Sequence, residues 1–217
     1  MKLKKIAFVV AALASAQAIA SEAPANQENV TPLNFSMYVG FTHGGDKLIE
    51  IQYEGRSNQD IRAGGAINLG AGLNYQFNNK WSLQSNLGYH FDSDNANNAD
   101  ITFSRWALDV IPYYKLNDSF KAGVGIIYHL NSELDMDMNN TNSSLSFKNT
   151  AGVVASLGYQ FENHNGWLEA RVVKISYDAD RISVGKVWGI NVNESASVRD
   201  APSIDGNHVG LAYHYVF

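Results

Sequence analysis

Three observations predict that this chain is all-β, an eight-stranded antiparallel up-and-down transmembrane β-barrel. Apolar and polar residues alternate over eight segments. The connections between those segments are short and long in strict alternation. The last segment, Gly206 to Phe217, sets Val209, Leu211, Tyr213, Tyr215 and Phe217 on one face, against His208, Gly210, Ala212, His214 and Val216 on the other.

The first residues carry a processing signal. Lys2, Lys4 and Lys5 precede the apolar run Ile6 to Ala14, and Ala18-Ile19-Ala20 is a small-x-small cleavage site before Ser21. The run is too short to cross a bilayer as a helix. Residues 1–20 are therefore expected to be a signal peptide cleaved after Ala20, residues 21–32 a polar periplasmic linker, and residues 33–217 the barrel. Without the three signal lysines the net charge is about −8, which argues against nucleic acid as a partner. There is no cysteine, so disulfides and thiolate metal sites are excluded. The 18 glycines, 11 tyrosines and 10 phenylalanines beside four prolines suit strands joined by tight turns.

The strands are expected at 33–43, 65–77, 81–92, 102–116, 120–131, 148–161, 167–178 and 206–217. Short polar turns follow Phe77, Leu116 and Phe161, and long connections occupy 44–64, 93–101, 132–147 and 179–205. Eight strands place both termini on one side, with the turns periplasmic and the four long, mobile, acidic or polar loops extracellular. Lys47 to Tyr53 reads as strand inside the first loop and is taken as a hairpin extension above the membrane.

Aromatics bracket each turn. Leu73-Asn74-Tyr75-Gln76-Phe77, turn, Trp81 is echoed by Leu157-Gly158-Tyr159-Gln160-Phe161, turn, Trp167, and more loosely by Tyr113-Tyr114, turn, Phe120. One interfacial girdle is thus expected from Tyr75, Phe77, Trp81, Tyr114, Phe120, Tyr159, Phe161, Trp167, Tyr215 and Phe217. Tyr89, Phe91, Phe103, Trp106, Tyr128 and Tyr177 would form the other. Between the girdles, Leu83, Leu87, Val124 and Ile126 face lipid, while the inward positions, such as Gln84, Asn86, Gly88, His90, Gly123 and Gly125, are polar or glycine. A lipocalin-like calyx would need larger apolar residues on that inner face. The seventh strand fits least well. Glu169 and Arg171 share one face and Lys174 falls on the other, so a bulge near Val172-Val173 is expected.

On the signal peptide, the alternating loop lengths, the Tyr-x-Phe–turn–Trp repeats and the terminal Tyr215-Val216-Phe217, residues 33–217 resemble the small Gram-negative outer-membrane β-barrels of the OmpA/OmpX and OmpW types. Segment 145–178 resembles the sixth and seventh strands of OmpW-type proteins. The resemblance implies residence in the outer membrane, with the bilayer and lipopolysaccharide as surroundings. It also implies insertion by the barrel-assembly machinery, which reads Tyr213, Tyr215 and Phe217. With no further domain after the last strand, the peptidoglycan anchoring of full-length OmpA-type proteins is not implied.

Arg105, Asp109, Lys121, Glu169 and Arg171 are candidates for an ion-pair network that fills and specifies the lumen. His90, His129 and His208 each lie nine residues from a girdle aromatic and are candidates for the loop-end mouth, as metal ligands, proton carriers or plain lumen filler. His129, Ser132 and Glu133 loosely resemble the sets of outer-membrane lipid A deacylases. Residues three apart on a regular strand face opposite sides, which argues against that use. Asp135, Asp137 and Met136 to Ser144 lack EF-hand spacing and read as a solvated loop. No catalytic motif, cofactor or resident metal is expected. The expected protein is a monomeric, non-enzymatic scaffold whose loops meet the outside. The alternative is a narrow OmpW-type conduit for small hydrophobic or polar solutes, with Val187, Trp188 and Ile190 around its mouth, and lipid A modification is the third reading.

Overall fold

The computed structural model describes residues 32–217 apart from 52–58, 97–98 and 163. The signal peptide, its cleavage site and residues 21–31 of the linker lie outside the described residues, as do Gln52 and Tyr53 of the first-loop segment. Eight strands form the wall: β1 (Leu33–Gly44), β4 (Ala66–Gln76), β5 (Trp81–Ala96), β6 (Ala99–Lys115), β7 (Phe120–Met138), β9 (Thr150–Gln160), β10 (Gly166–Lys174) and β15 (His208–Val216). Each pairs antiparallel with its sequence neighbours in the ring. Pairing of β1 with β15, through Met37 opposite Tyr215, and of β7 with β9, through Phe120 opposite Tyr159, closes the sheet into a barrel. Closure leaves no unpaired edge in the wall, which a strand needs where no water can satisfy its backbone.

Alternation along each strand decides what faces lipid. On β1, Phe35, Met37, Val39 and Phe41 are exposed while Ser36, Tyr38 and Thr42 are buried inside. On β7, Val124 and Ile126 point out and Ile127 and His129 point in. The exposed apolar belt is the surface that acyl chains cover, and burying it there replaces the core a soluble protein would build. The lumen departs from the polar or glycine-lined interior that was expected. Ile111, Ile127, Val154 and Val173 project inward on β6, β7, β9 and β10, so apolar side chains share that side of the interior with the polar ones.

Above the barrel the long connections are mostly strand. β2 (Lys47–Ile51) and β3 (Gln59–Arg62) form the hairpin extension expected of the first loop. β5 and β6 continue their ladder to Ala96 opposite Ala99. β7 forks: residues 120–129 pair with β9, whereas residues 133–138 pair with β8 (Thr141–Phe147). The fork lies at Asn131, which adopts φ 50° and donates its N–H to Asn149 Oδ1 at 3.1 Å. A register shift opposite it, between Ser104 and Trp106, marks a bulge. From β8 the sheet continues through β12 (Ala179–Val187) to β13 (Ile190–Ser197), giving a blade that projects beyond the barrel. Short β11 (Ser176–Tyr177) pairs with β14 (Ile204–Asp205) where the chain re-enters the wall. The expected bulge at Val172-Val173 is absent. β10 runs in unbroken register with both neighbours, and Lys174 simply points outward at the loop end.

Beneath these extensions sits an apolar plug built from Ile61, Ile101, Phe103, Leu134, Phe147, Ile175 and Tyr177, all buried. This corrects two girdle assignments. Phe103 and Tyr177 face inward, with rings 5.7 Å apart, and Tyr89, Phe91, Trp106 and Tyr128 alone remain on the outer face. Above the membrane, the extensions need a core of the ordinary soluble kind, and these rings supply it.

Candidate functional site: a lumen of two polar layers

The turn-end layer is organised around Glu169 of β10. Its Oε1 accepts hydrogen bonds from Ser156 Oγ at 2.6 Å and Tyr113 Oη at 3.0 Å. Its Oε2 accepts from Arg171 Nη2 at 2.7 Å and His214 Nε2 at 2.8 Å. Arg171 also spans the lumen to Asp109 Oδ2 of β6 at 3.1 Å, and Asn86 Nδ2 donates to the other Asp109 oxygen at 2.7 Å. Because His214 donates from Nε2, its Nδ1 accepts from Gln84 Nε2 at 3.2 Å, which fixes the neutral tautomer. All of these side chains are buried. The carboxylates have charge-assisted partners on both oxygens, the condition under which buried ions are tolerated.

Aromatic rings close this layer. His214 lies between Trp167, stacked at 4.0 Å, and Tyr38, stacked at 5.1 Å. Lys121 Nζ sits 3.4 Å from the Trp167 ring centroid and 4.7 Å from that of Tyr113. Trp167 is therefore a lumen residue, 1% exposed, and not part of the girdle expected from its place in the repeat. Glu169 and Arg171 on the same strand share its parity, and that was the signal to read. The remaining girdle residues do line the outer face, where Trp81 packs on Tyr114 and Phe120 on Tyr159. The large Tyr38 ring fits only because glycine lies opposite. A Cβ on Gly88 would collide with the Tyr38 hydroxyl.

The loop-end layer holds the three histidines, which do come together. The His90 ring lies 5.5 Å from His208 and 6.5 Å from His129. His90 Nε2 meets Thr42 Oγ1 at 2.7 Å and Arg105 Nη2 at 3.0 Å. His129 Nδ1 meets the Tyr177 hydroxyl at 2.6 Å, and His208 Nδ1 meets the Gly206 carbonyl at 2.8 Å. Among the described residues, no three ligating side chains converge as a metal set. Arg105 thus belongs to this layer and not to the network of Asp109, Lys121, Glu169 and Arg171 with which it was grouped. Ser132 and His129 are both buried inside, contrary to the expectation of opposite faces. The bulge at Asn131 adds one residue between them and restores the parity.

Val187, Trp188 and Ile190, expected around a mouth, instead form the tip of the β12–β13 hairpin, where Trp188 is 83% exposed. An apolar depression of about 700 Å³ lies on the lipid-facing wall over Ala155 and Ala170, between Phe41, Leu157 and Val209. Acyl chains meet it there.

A closed, eight-stranded antiparallel barrel with an apolar exterior and a polar, side-chain-filled lumen is the fold of a small outer-membrane β-barrel protein. The family described as the putative MetA-pathway of phenol degradation matches residues 57–186, and the chain belongs to that family. A major outer membrane protein of Thermus thermophilus superposes with a TM-score of 0.50 at 12% identity, over 84% of this chain and 99% of that one. Ail, the attachment invasion locus protein of Yersinia pestis, gives 0.47 at 11%, over 85% and 97%. The outer membrane protein AlkL, determined by solid-state NMR in DMPC bilayers, gives 0.47 at 15%, over 91% and 96%. No curated protein matches the chain. At such identities the structural likenesses speak of the fold.

Proposed function

We propose that the protein is a non-enzymatic outer-membrane scaffold whose working surface is the projecting blade of β7, β8, β12 and β13. The observation that carries this reading is the filled lumen. The Arg171–Asp109 and Arg171–Glu169 ion pairs cross it at one height and the plug around Phe103 caps it at another. An interior so occupied leaves the chemistry to the outside, and the apolar tip at Trp188 and Ile190 is the most exposed apolar feature there. Export by cleavage after Ala20, insertion through Tyr213, Tyr215 and Phe217, monomeric state and contact with lipopolysaccharide belong to the same proposal.

The second reading is a conduit for small solutes, favoured by the family's description in terms of phenol degradation. Cells lacking the gene, complemented with wild type or with a W188S/I190S variant that folds, separate the two. The scaffold reading expects detergent resistance to depend on the tip and uptake of a small phenol to be unaffected by deletion. Loss of phenol uptake on deletion, restored by wild type, would overturn it in favour of the conduit.

A further inference from the structure

The geometry points to a binding site for one small anion in the loop-end layer of the lumen, formed by Arg105, His129 and Ser132. These three side chains are 0%, 0% and 1% exposed. Arg105 is the directly opposed partner of His90 across the β5–β6 ladder and lies against the bulge that carries Ser132 on β7. Only Nη2 of its guanidinium is engaged in hydrogen bonds, with the Gly65 carbonyl at 3.2 Å and His90 Nε2 at 3.0 Å. Nε and Nη1 have no partner, and none of the three nitrogens bonds a carboxylate among the described residues. The Phe103 ring, 4.8 Å from the guanidinium carbon, offers its face but no counter-charge. Asp92 on β5 accepts from the Arg62 backbone N–H at 3.0 Å and acts on Arg105 only through space, without a hydrogen bond to it.

The neighbouring groups are orphaned in the same sense. His129 Nε2 and Ser132 Oγ are buried without partners. His129 Nδ1 is taken up by the Tyr177 hydroxyl, which leaves Nε2 as the free ring nitrogen facing the layer. The layer therefore presents a guanidinium with no hydrogen-bonded counter-charge and two unpartnered nitrogens, beside the unpartnered Ser132 hydroxyl and His129 Nε2. Elsewhere in the lumen the unpartnered atoms are mixed, with Arg171 Nε set against the acceptors Gln84 Oε1, Asn68 Oδ1 and Asn74 Oδ1. A buried guanidinium with two unpartnered nitrogens and no carboxylate bonded to it calls for negative charge, because a buried ion without a close counter-ion is costly. A halide, a carboxylate or a phosphate each meets that chemistry.

The test is anion-dependent stability. The full mature chain is refolded into micelles at fixed ionic strength, with a bulky sulfonate progressively replaced by chloride, acetate or phosphate. A bound anion raises the unfolding midpoint along a saturating curve. Wild type is expected to show such a curve with at least one of the three, and the identity of the responder tells halide from carboxylate from phosphate. R105M, which removes the charge, is expected to lose it, and S132A to need several-fold more anion to reach half-saturation. No saturating response in wild type, or the same response in R105M, would overturn the assignment. Should R105M fail to fold, an S132A curve superimposable on wild type would overturn it equally.

Discussion

Arg171 of β10 and Asp109 of β6 face each other across the barrel at 3.1 Å, although those strands stand three places apart in the ring. The pair is almost wholly buried, with side chains 3% and 2% exposed. Together with Glu169 it ties opposite walls at one height, which is how an eight-stranded barrel can hold a filled interior.

Removing the cation alone should be severe. R171M strands Asp109 and Glu169, and breaking a buried pair this way costs about 3–5 kcal/mol. The triple variant R171M/D109N/E169Q, which removes the buried charges together, is expected to recover much of that loss. Urea unfolding of the refolded protein, followed by heat-modifiable gel mobility, reads both. A triple variant as unstable as R171M alone would sink the ion-pair account.

The four tryptophans should report three environments. In single-tryptophan variants, Trp81 and Trp106 are expected to be quenched by brominated acyl chains, and Trp188 by aqueous iodide. Trp167, held between His214 and Lys121, is expected to resist both. Lipid quenching of Trp167 would return it to the girdle.

Asp135 stands on the β7 extension beyond the fork at Asn131, where burial, and then the Glu133 charge, raises its carboxyl above the ordinary 3.8. A raised carboxyl is costly when ionised, so its contribution to stability is full below about pH 4 and declines as pH rises through the folded-state value. D135N should therefore slow amide exchange in the β6–β7 extension at pH 7 and leave it unchanged at pH 3. A variant that speeds exchange at pH 7 would contradict the sign.

The tip of the blade is a two-residue turn with Trp188 at φ 50° and Gly189 at φ 81°. Such turns favour Asn-Gly, and a bulky residue in the left-handed region costs about 1–2 kcal/mol. W188N should therefore protect the Val187 and Ile190 amides further. Loss of protection would mean that Trp188 packs in a way its 83% exposure does not show.

Much of this fold was legible because the wall obeys period 2. The Phe77–turn–Trp81 signature, the exposed face of β1 and the terminal Tyr213-x-Tyr215-x-Phe217 are all statements about alternate residues. What failed were assignments made from likeness against alternation. Trp167 followed Trp81 in the repeat, yet the longer turn before it changed its phase. Parity breaks were equally invisible: the bulge at Asn131, with φ 50° on a non-glycine residue, cannot be read from YHLNSEL, and it alone brings Ser132 inside with His129. The blade was hidden for a similar reason, because its tip turns on Trp188-Gly189 in place of an Asn-Gly signal. Convergence of His90, His129 and His208 depends on the stagger of strands that do not adjoin, which no local pattern encodes.

Single-channel recording of the refolded wild-type protein in planar bilayers tests the central claim, a lumen closed by its own side chains, most directly. The account predicts a folded, heat-modifiable barrel with a silent trace, and discrete openings in wild type would contradict it.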